Sequence, residues 1–244
     1  MNIDIATLFP EMLENYLSES VVGRARAKNI FTVTCHNIRD YTQDKHRRVD
    51  DTPYSERQGM LMQCEPIYNC YKSVTAGKAK PHVIYMSPQG KTLTQKRAKE
   101  LSQLDSIFIL CGHYEGVDSR VIDEIVDEEI SVGDYVLTGG ELPALVHCVV
   151  RMLEGTLSQA DCYEDESHYN GLLEYPQYTR PEVWHDREVP KVLLSGNHAE
   201  IAKWRREEAV KATYLKRPEL LERSPLTEKD LAIIHKLEEK ENKK

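Results

Sequence analysis

Through the first two thirds of the chain, short apolar runs alternate with stretches of helical period, the pattern of an α/β domain with a largely parallel sheet. Ile3 to Phe9 reads as a strand, and Pro10 suits the first turn of a helix over Glu11 to Leu17, where a missing N–H costs nothing. Phe31 to Cys35 alternates at period two and predicts a second strand. Val83 to Met86 and Ile107 to Cys111 are continuously apolar, as strands buried on both faces are, and the helical segment Thr94 to Leu104 between them completes a βαβ unit. Both runs end in turn chemistry, Ser87-Pro88-Gln89-Gly90 and Gly112-His113-Tyr114-Glu115-Gly116. Parallel strands would bring these loops out side by side at their carboxyl ends, where open α/β sheets bind ligands.

A third loop, Val132 to Pro143, carries Gly133, Gly139 and Gly140 and precedes Ala144 to Leu153, apolar enough for a buried helix. Three loops at one sheet edge suggest a pocket lined by backbone rather than ordinary turn punctuation. The charged stretch Arg39 to Gly59, with Pro53 inside it, reads as a long loop of the kind that carries function. Gly155 to Pro190 has little periodicity and an acidic cluster (Asp161, Glu164, Asp165, Glu166), which predicts a linker. From Asn197 the pattern is helical to the end, with Lys203, Arg205, Arg206, Lys211, Lys216 and Arg217 as the candidate nucleic-acid face. Trp204 beside them suits either core packing or base stacking.

Composition narrows the field. The chain has 244 residues, with 32 Lys+Arg against 40 Asp+Glu, and a net charge of -8 argues against coating nucleic acid by bulk charge. No apolar run approaches the ~20 residues of a membrane span, and the N-terminus lacks a targeting pattern. The six cysteines are scattered without metal-ligand spacing, so neither a zinc site nor a disulfide framework is expected, and a reducing cytoplasm fits. Neither a dinucleotide fingerprint, a P-loop nor a nucleophile elbow occurs.

Six ordered motifs go further: Phe9-Pro10-Glu11-Met12, Tyr85 to Gly90, Cys111 to Gly116, Gly133 to Pro143, Tyr178-Thr179-Arg180-Pro181 and Leu194-Ser195-Gly196-Asn197-His198. Together they make the chain resemble the bacterial tRNA (guanine-N(1))-methyltransferase, or TrmD, family over nearly its whole length. The resemblance implies a SPOUT-type parallel sheet with a deep trefoil knot, plus a small all-helical C-terminal domain. Its divisions would be a methyltransferase domain over 1–157, a linker carrying the general base over 158–175 and a helical tRNA-binding domain over 176–244. It implies a cytoplasmic homodimer with composite active sites, acting on the tRNA anticodon stem-loop with no membrane involvement. S-adenosylmethionine is the implied methyl donor, and any Mg2+ needed for activity has no site visible in the sequence.

Residue by residue, the resemblance assigns the donor to Met86, Ser87, Pro88, Gln89, Gly112, Tyr114, Glu115, Val132, Gly133, Asp134, Tyr135, Val136, Leu137, Gly139, Gly140 and Pro143. Substrate contacts fall on His46, Asp50, Tyr54, Gly59, Ser195, Asn197 and His198. Guanine N1 holds its proton at neutral pH, so methylation needs a base, and the charge that spreads to the 6-oxo group needs a cation. Glu166 matches the position of the family's catalytic aspartate in a gapless count, Asp165 if the register slips by one, and Arg151 matches its arginine. Without the resemblance, Glu166 belongs to a solvated acidic run and Arg151 is a cation favoured at a helix C-terminus. Two other readings remain: a tRNA- or donor-binding homologue impaired in catalysis, and a related ribosomal RNA methyltransferase.

Overall fold

The computed structural model describes residues 1–52, 59–142, 144, 146–157, 167–178, 182–184 and 187–241. Its strands in the first part of the chain are β1 (Asn2–Thr7), β2 (Thr32–Asn37), β3 (Asp50–Asp51), β4 (Leu61–Met62), β5 (His82–Thr92), β6 (Ser106–Cys111) and β7 (Glu128–Ser131). Five of them form one parallel sheet in the order β2-β1-β6-β5-β7, while β3 and β4 make a separate antiparallel pair. Register puts like side chains in rows, Ile5 opposite Ile109 and Ile109 opposite Ile84.

Alternation along each strand feeds two cores, which is why the apolar runs are continuous. Ile3, Ile5, Ile84, Met86, Ile107 and Ile109 face one layer; Ala6, Val83, Tyr85, Phe108 and Leu110 face the other. The first layer holds α1 (Pro10–Leu17), α2 (Ser20–Ala27), α4 (Gln95–Leu101) and α6 (Val146–Val150), and the second holds α3 (Cys64–Thr75) and α5 (Ser119–Ile125). Each helix offers apolar residues at helical spacing: Leu13 and Leu17 on α1, Ile67, Cys70 and Val74 on α3, Val121 and Ile125 on α5. Pro10 opens α1, and Thr94 and Asp118 cap α4 and α5 by accepting from Arg97 N and Arg120 N.

Three expectations change. The run Ser87 to Gly90 lies within β5, but the ladder breaks between Met86 and Lys91, both opposite Ile130, so the turn chemistry is used as a bulge. The stretch from Arg39 holds a 3-10 turn (Ile38–Tyr41) and β3, which lack an apolar alternation to announce them. The helix expected over Ala144 to Leu153 is only α6, because Met152 N and Leu153 N bond to the carbonyls three residues back and Gly155 at φ +81° ends the turn.

Two units divide the chain, Met1–Gln159 and Ala160–Lys244. The second contains β8 (Val183–Trp184), β9 (Arg187–Glu188), α7 (Lys191–Leu194), α8 (His198–Lys216) and α9 (Glu228–Glu241). Its β8–β9 antiparallel pair corrects the expectation of an all-helical part; with so few residues, the pair leaves no period in the sequence. Leu172 and Tyr175 pack with Ala209 and Val210 of α8, and Leu173 N donates to Thr213 Oγ1 at 2.9 Å, so this stretch belongs to the second unit's own core. Among the described residues no helix is long and apolar enough to cross a membrane.

Candidate active site

A cavity of about 310 Å³ opens at the carboxyl ends of β5, β6 and β7. Its wall is built by the β5 bulge, the loop after β6 and the loop after β7, the three segments whose turn chemistry suggested a pocket. Met86, Ser87, Pro88, Gln89, Gly112, Tyr114, Glu115, Val132, Tyr135, Val136, Leu137, Gly139 and Gly140 line it. Gly133 and Asp134 do not line it, and Pro143 is outside the described residues. The wall also takes in residues that the resemblance did not assign to the donor: Tyr85 and His113 from within the motifs, and Asp123, Glu129 and Ser131 from outside them. Ser119, Ile122 and Asp123 reach it from one face of α5, a signal that the i, i+3, i+4 spacing could have given.

Local bonds fix each loop. The Ser131 hydroxyl donates to Gly133 O at 2.8 Å and accepts from Gly133 N at 3.1 Å, closing the turn after β7. Ser87 Oγ accepts from Gln89 N at 3.2 Å inside the bulge. Gly140 N donates to Gly112 O at 2.8 Å, and His113 bridges antiparallel to Gly139, so the second and third loops are stitched together. Tyr114 holds a left-handed backbone at φ +59°, a conformation that strains a residue with a side chain and that concentrates at functional sites. Burial and the Glu129 charge push the Tyr85 phenol up to about 12, so it remains a neutral donor in the floor. Three acidic residues, Glu115, Asp123 and Glu129, belong to the wall, and no lysine or arginine does among the described residues.

The loop carrying His46 and Asp50 is tied to this pocket. Arg39 Nη2 donates to the Tyr114 hydroxyl at 3.0 Å, while Arg47 Nε donates to Arg39 O at 3.4 Å. Asp50 pairs with Met62 across β3 and β4, and Met62 N in turn donates to Gly116 O at 3.0 Å. Glu115 N donates to Met60 O at 3.0 Å, and Gly59 sits against the Glu115 side chain. The exposed His46 donates its backbone N–H to Asp44 Oδ1 at 2.8 Å, and Asp44 is lowered to about 2, chiefly by the hydrogen bond from Arg48. Tyr54 lies outside the described residues.

The remaining candidates are scattered. Arg151 is half-buried just beyond α6, with its N–H on His147 O at 3.3 Å, and is not among the lining residues. Asp165 and Glu166 lie outside the described residues. In the second unit, exposed Ser195, Asn197 and His198 surround the start of α8: Asn197 Oδ1 caps it by accepting from Glu200 N, and Ser195 Oγ donates to Val192 O at 2.7 Å. The basic face is partly spent on internal pairs, Arg206 with Asp230 at 2.8 Å, Lys211 with Glu208 at 2.7 Å, and Arg217 with Glu219. Arg205 stacks over Tyr175 at 5.0 Å, and Trp204 meets Tyr175 and Tyr178 edge-on or tilted, so Trp204 is a half-buried packing residue. Among the described residues, no three His, Cys, Asp or Glu gather as a metal site would require.

A three-layer α/β unit with a loop-built pocket at the carboxyl edge of its sheet defines a small-molecule-binding class. The profile described as tRNA (Guanine-1)-methyltransferase TrmD matches residues 1–223, and the chain belongs to that family. It is 54% identical over 228 residues to the tRNA (guanine-N(1)-)-methyltransferase of Ruminiclostridium cellulolyticum, covering 92% of this chain and 98% of the relative. The enzyme of the same name from Caldanaerobacter subterraneus is 51% identical over 236 residues, covering 96% and 97% of the two chains. That of Staphylococcus epidermidis is 48% identical over 242 residues, covering 98% of each.

Proposed function

We propose that the protein transfers the methyl group of S-adenosylmethionine to N1 of the guanosine immediately 3′ of a tRNA anticodon. The observation that carries this reading is the pocket at the ends of β5, β6 and β7, formed in a TrmD-family chain by the loops that the family motifs occupy. Its volume suits a nucleoside-sized ligand, its glycine-rich wall of mixed polar and apolar character suits an adenosine, and its acidic residues suit the donor's cationic groups. The residues present therefore fit the donor, with Met86 to Gln89, Gly112, Tyr114, Glu115, Val132, Tyr135 to Leu137, Gly139 and Gly140 holding it; the resemblance adds Gly133, Asp134 and Pro143 from the same loop. When bound, the donor supplies a methyl group already activated by a sulfonium.

The chain supplies the rest. Glu166 or Asp165 accepts the N1 proton, and Arg151 offsets the charge that spreads to the 6-oxo group. The target base is unstacked to reach the pocket, which costs less in a loop than in a duplex. His46, Asp50, Tyr54 and Gly59, with Ser195, Asn197 and His198, hold the anticodon stem-loop. Mg2+ is assigned no step.

Family membership also supports a knotted backbone: the segment after β7 returns to bond Gly112 through Gly140 before α6 packs against α4. A homodimer with composite sites is supported by apolar side chains left exposed just before α1 (Phe9), on α1 (Met12, Tyr16) and on the third loop, including Val136 and Leu142. We assign residues 158–175 to a linker that carries the general base, with its end from Leu172 packed into the second unit's core, residues 176–244 to tRNA binding, and the whole to the cytoplasm. The test is methyl transfer from labelled S-adenosylmethionine to an unmodified tRNA transcript bearing that guanosine. Glu166→Ala alone abolishing transfer identifies Glu166 as the base, and Asp165→Ala alone doing so identifies Asp165. Wild-type protein that binds donor without transferring methyl would sink the enzyme reading.

A further inference from the structure

Glu141 is 4% exposed and lies directly behind the pocket wall, yet the proposed chemistry does not use it. A carboxylate taken out of water is costly unless it is bonded, and an apolar residue of similar size would pack there more cheaply. Its oxygens reach two separate parts of the site. Oε1 accepts from the hydroxyl of the fully buried Thr7, at 2.7 Å, at the end of β1. The same Thr7 oxygen accepts from Phe9 N at 2.9 Å, which sets the path of the chain leaving that strand. Oε2 faces Nδ1 of His113 at 3.9 Å, and that nitrogen is buried without a hydrogen-bond partner. The His113 ring is held from two sides, by Phe9 at 4.9 Å and Tyr114 at 5.0 Å between centroids.

Space for this arrangement comes from Gly139. A Cβ there would lie 2.3 Å from Glu141 Oε2 and 2.6 Å from His113 Nδ1, so any larger residue would drive the carboxylate and imidazole away. Glu141 thus touches the end of β1, supports the loop after β6 through His113 and belongs to the loop after β7. It sits where those three segments meet behind Gly112, Gly139 and Gly140.

We propose that Glu141 is a positioning residue for the donor pocket, a buried brace that holds the Gly139–Gly140 and Gly112–His113 segments at the separation the methyl donor requires. This rests on the assignment of the cavity to S-adenosylmethionine. The brace acts through the bonds of the carboxylate, chiefly the one from Thr7, so an isosteric amide that keeps an acceptor toward Thr7 preserves most of it.

The test titrates S-adenosylmethionine calorimetrically into full-length wild type, Glu141→Ala, Glu141→Gln and Thr7→Val, and follows amide hydrogen exchange of the same proteins without ligand. Glu141→Ala is expected to bind the donor at least tenfold more weakly and to exchange the Gly140 amide at least tenfold faster, with α3 amides across the sheet unchanged. Glu141→Gln stays within about threefold of wild type in both. Should Glu141→Ala fail to fold, Thr7→Val removes the same bond from the other side and is expected to lose at least threefold in affinity and in Gly140 protection. Donor affinity and Gly140 protection within twofold of wild type in Glu141→Ala or in Thr7→Val would overturn the proposal. Equal acceleration of exchange in α3 would also overturn it, as general loosening. A wild type that binds no donor, with Gly140 exchange still accelerated in Glu141→Ala, supports the brace and overturns the donor assignment instead.

Discussion

Gly140→Ala probes how far the pocket depends on two backbones lying in contact. An added Cβ would stand 2.7 Å from Cys111 Cα and 3.0 Å from Gly112 N, and backbone atoms, unlike a side-chain tip, have no rotamer that relieves the clash. The two segments must part by roughly 1 Å to reach ordinary carbon contact. That stretches the 2.8 Å bond from Gly140 N to Gly112 O toward breakage. Overpacking costs about 1–3 kcal/mol and the lost hydrogen bond about 1 kcal/mol, giving roughly 2–4 kcal/mol in all. For a unit of this size each kcal/mol lowers the melting midpoint by about 2–4 °C, so the expected fall is roughly 4–16 °C. Thermal denaturation of the full chain reads that fall, and calorimetric titration with S-adenosylmethionine reads a donor affinity reduced about tenfold or more. Ile67→Val in the opposite core is the control, costing about 1 kcal/mol through lost packing and leaving donor affinity unchanged. A Gly140→Ala protein within about 0.5 kcal/mol of wild type, binding donor normally, would refute the reasoning.

Further predictions concern other parts of the chain. His147 stacks on Tyr16 at 4.4 Å, and burial holds its pKa below the usual 6.5. The neutral ring therefore contributes stability that is complete above pH 6.5 and is lost as pH falls through the depressed folded value. His147→Asn should flatten the fall in melting midpoint between pH 7.5 and pH 5, and an unchanged slope would count against this. Asp230 accepts from Thr227 N at 2.8 Å, completing a capping box for α9, and from Arg206 at 2.8 Å. Asp230→Ala should cost about 2–4 kcal/mol, read as faster limited proteolysis within 198–241, with Asp230→Asn intermediate. Arg39→Gln, by releasing Tyr114, should raise the KM for tRNA several-fold while donor affinity holds; equal loss of both would show that the link only stabilises the fold.

Much of the site's frame was written locally. The runs at Val83 to Met86 and Ile107 to Cys111 could be read as doubly buried strands because hydrophobic burial leaves its period in a single stretch of chain. Their closing turns marked the pocket because glycine and proline punctuate the backbone wherever they stand. Weaker signals misled where few residues carry the element: β3, β8 and β9 have two residues each and no apolar alternation, and α6 tightens into shorter turns that an apolar run does not distinguish from a longer helix. The basic cluster around α8 promised a nucleic-acid face, yet Arg206, Lys211 and Arg217 turn to nearby carboxylates, since charge spacing does not show which partner lies across the fold.

The amino-acid sequence by itself determined the α/β class, the positions of the main strands and helices and, through ordered motifs, the family and its chemistry. These follow from periodicity, turn propensity and residue identity, each of which acts over a few residues. Only the tertiary structure decided the strand order β2-β1-β6-β5-β7, the tie between Arg39 and Tyr114, and the meeting of Thr7, His113 and Glu141 behind the pocket. Thr7 and Glu141 are 134 positions apart and share a hydrogen bond of 2.7 Å, which no local pattern encodes. Such contacts arise when burial of both sheet faces folds distant segments together and leaves each enclosed polar group to find a partner there.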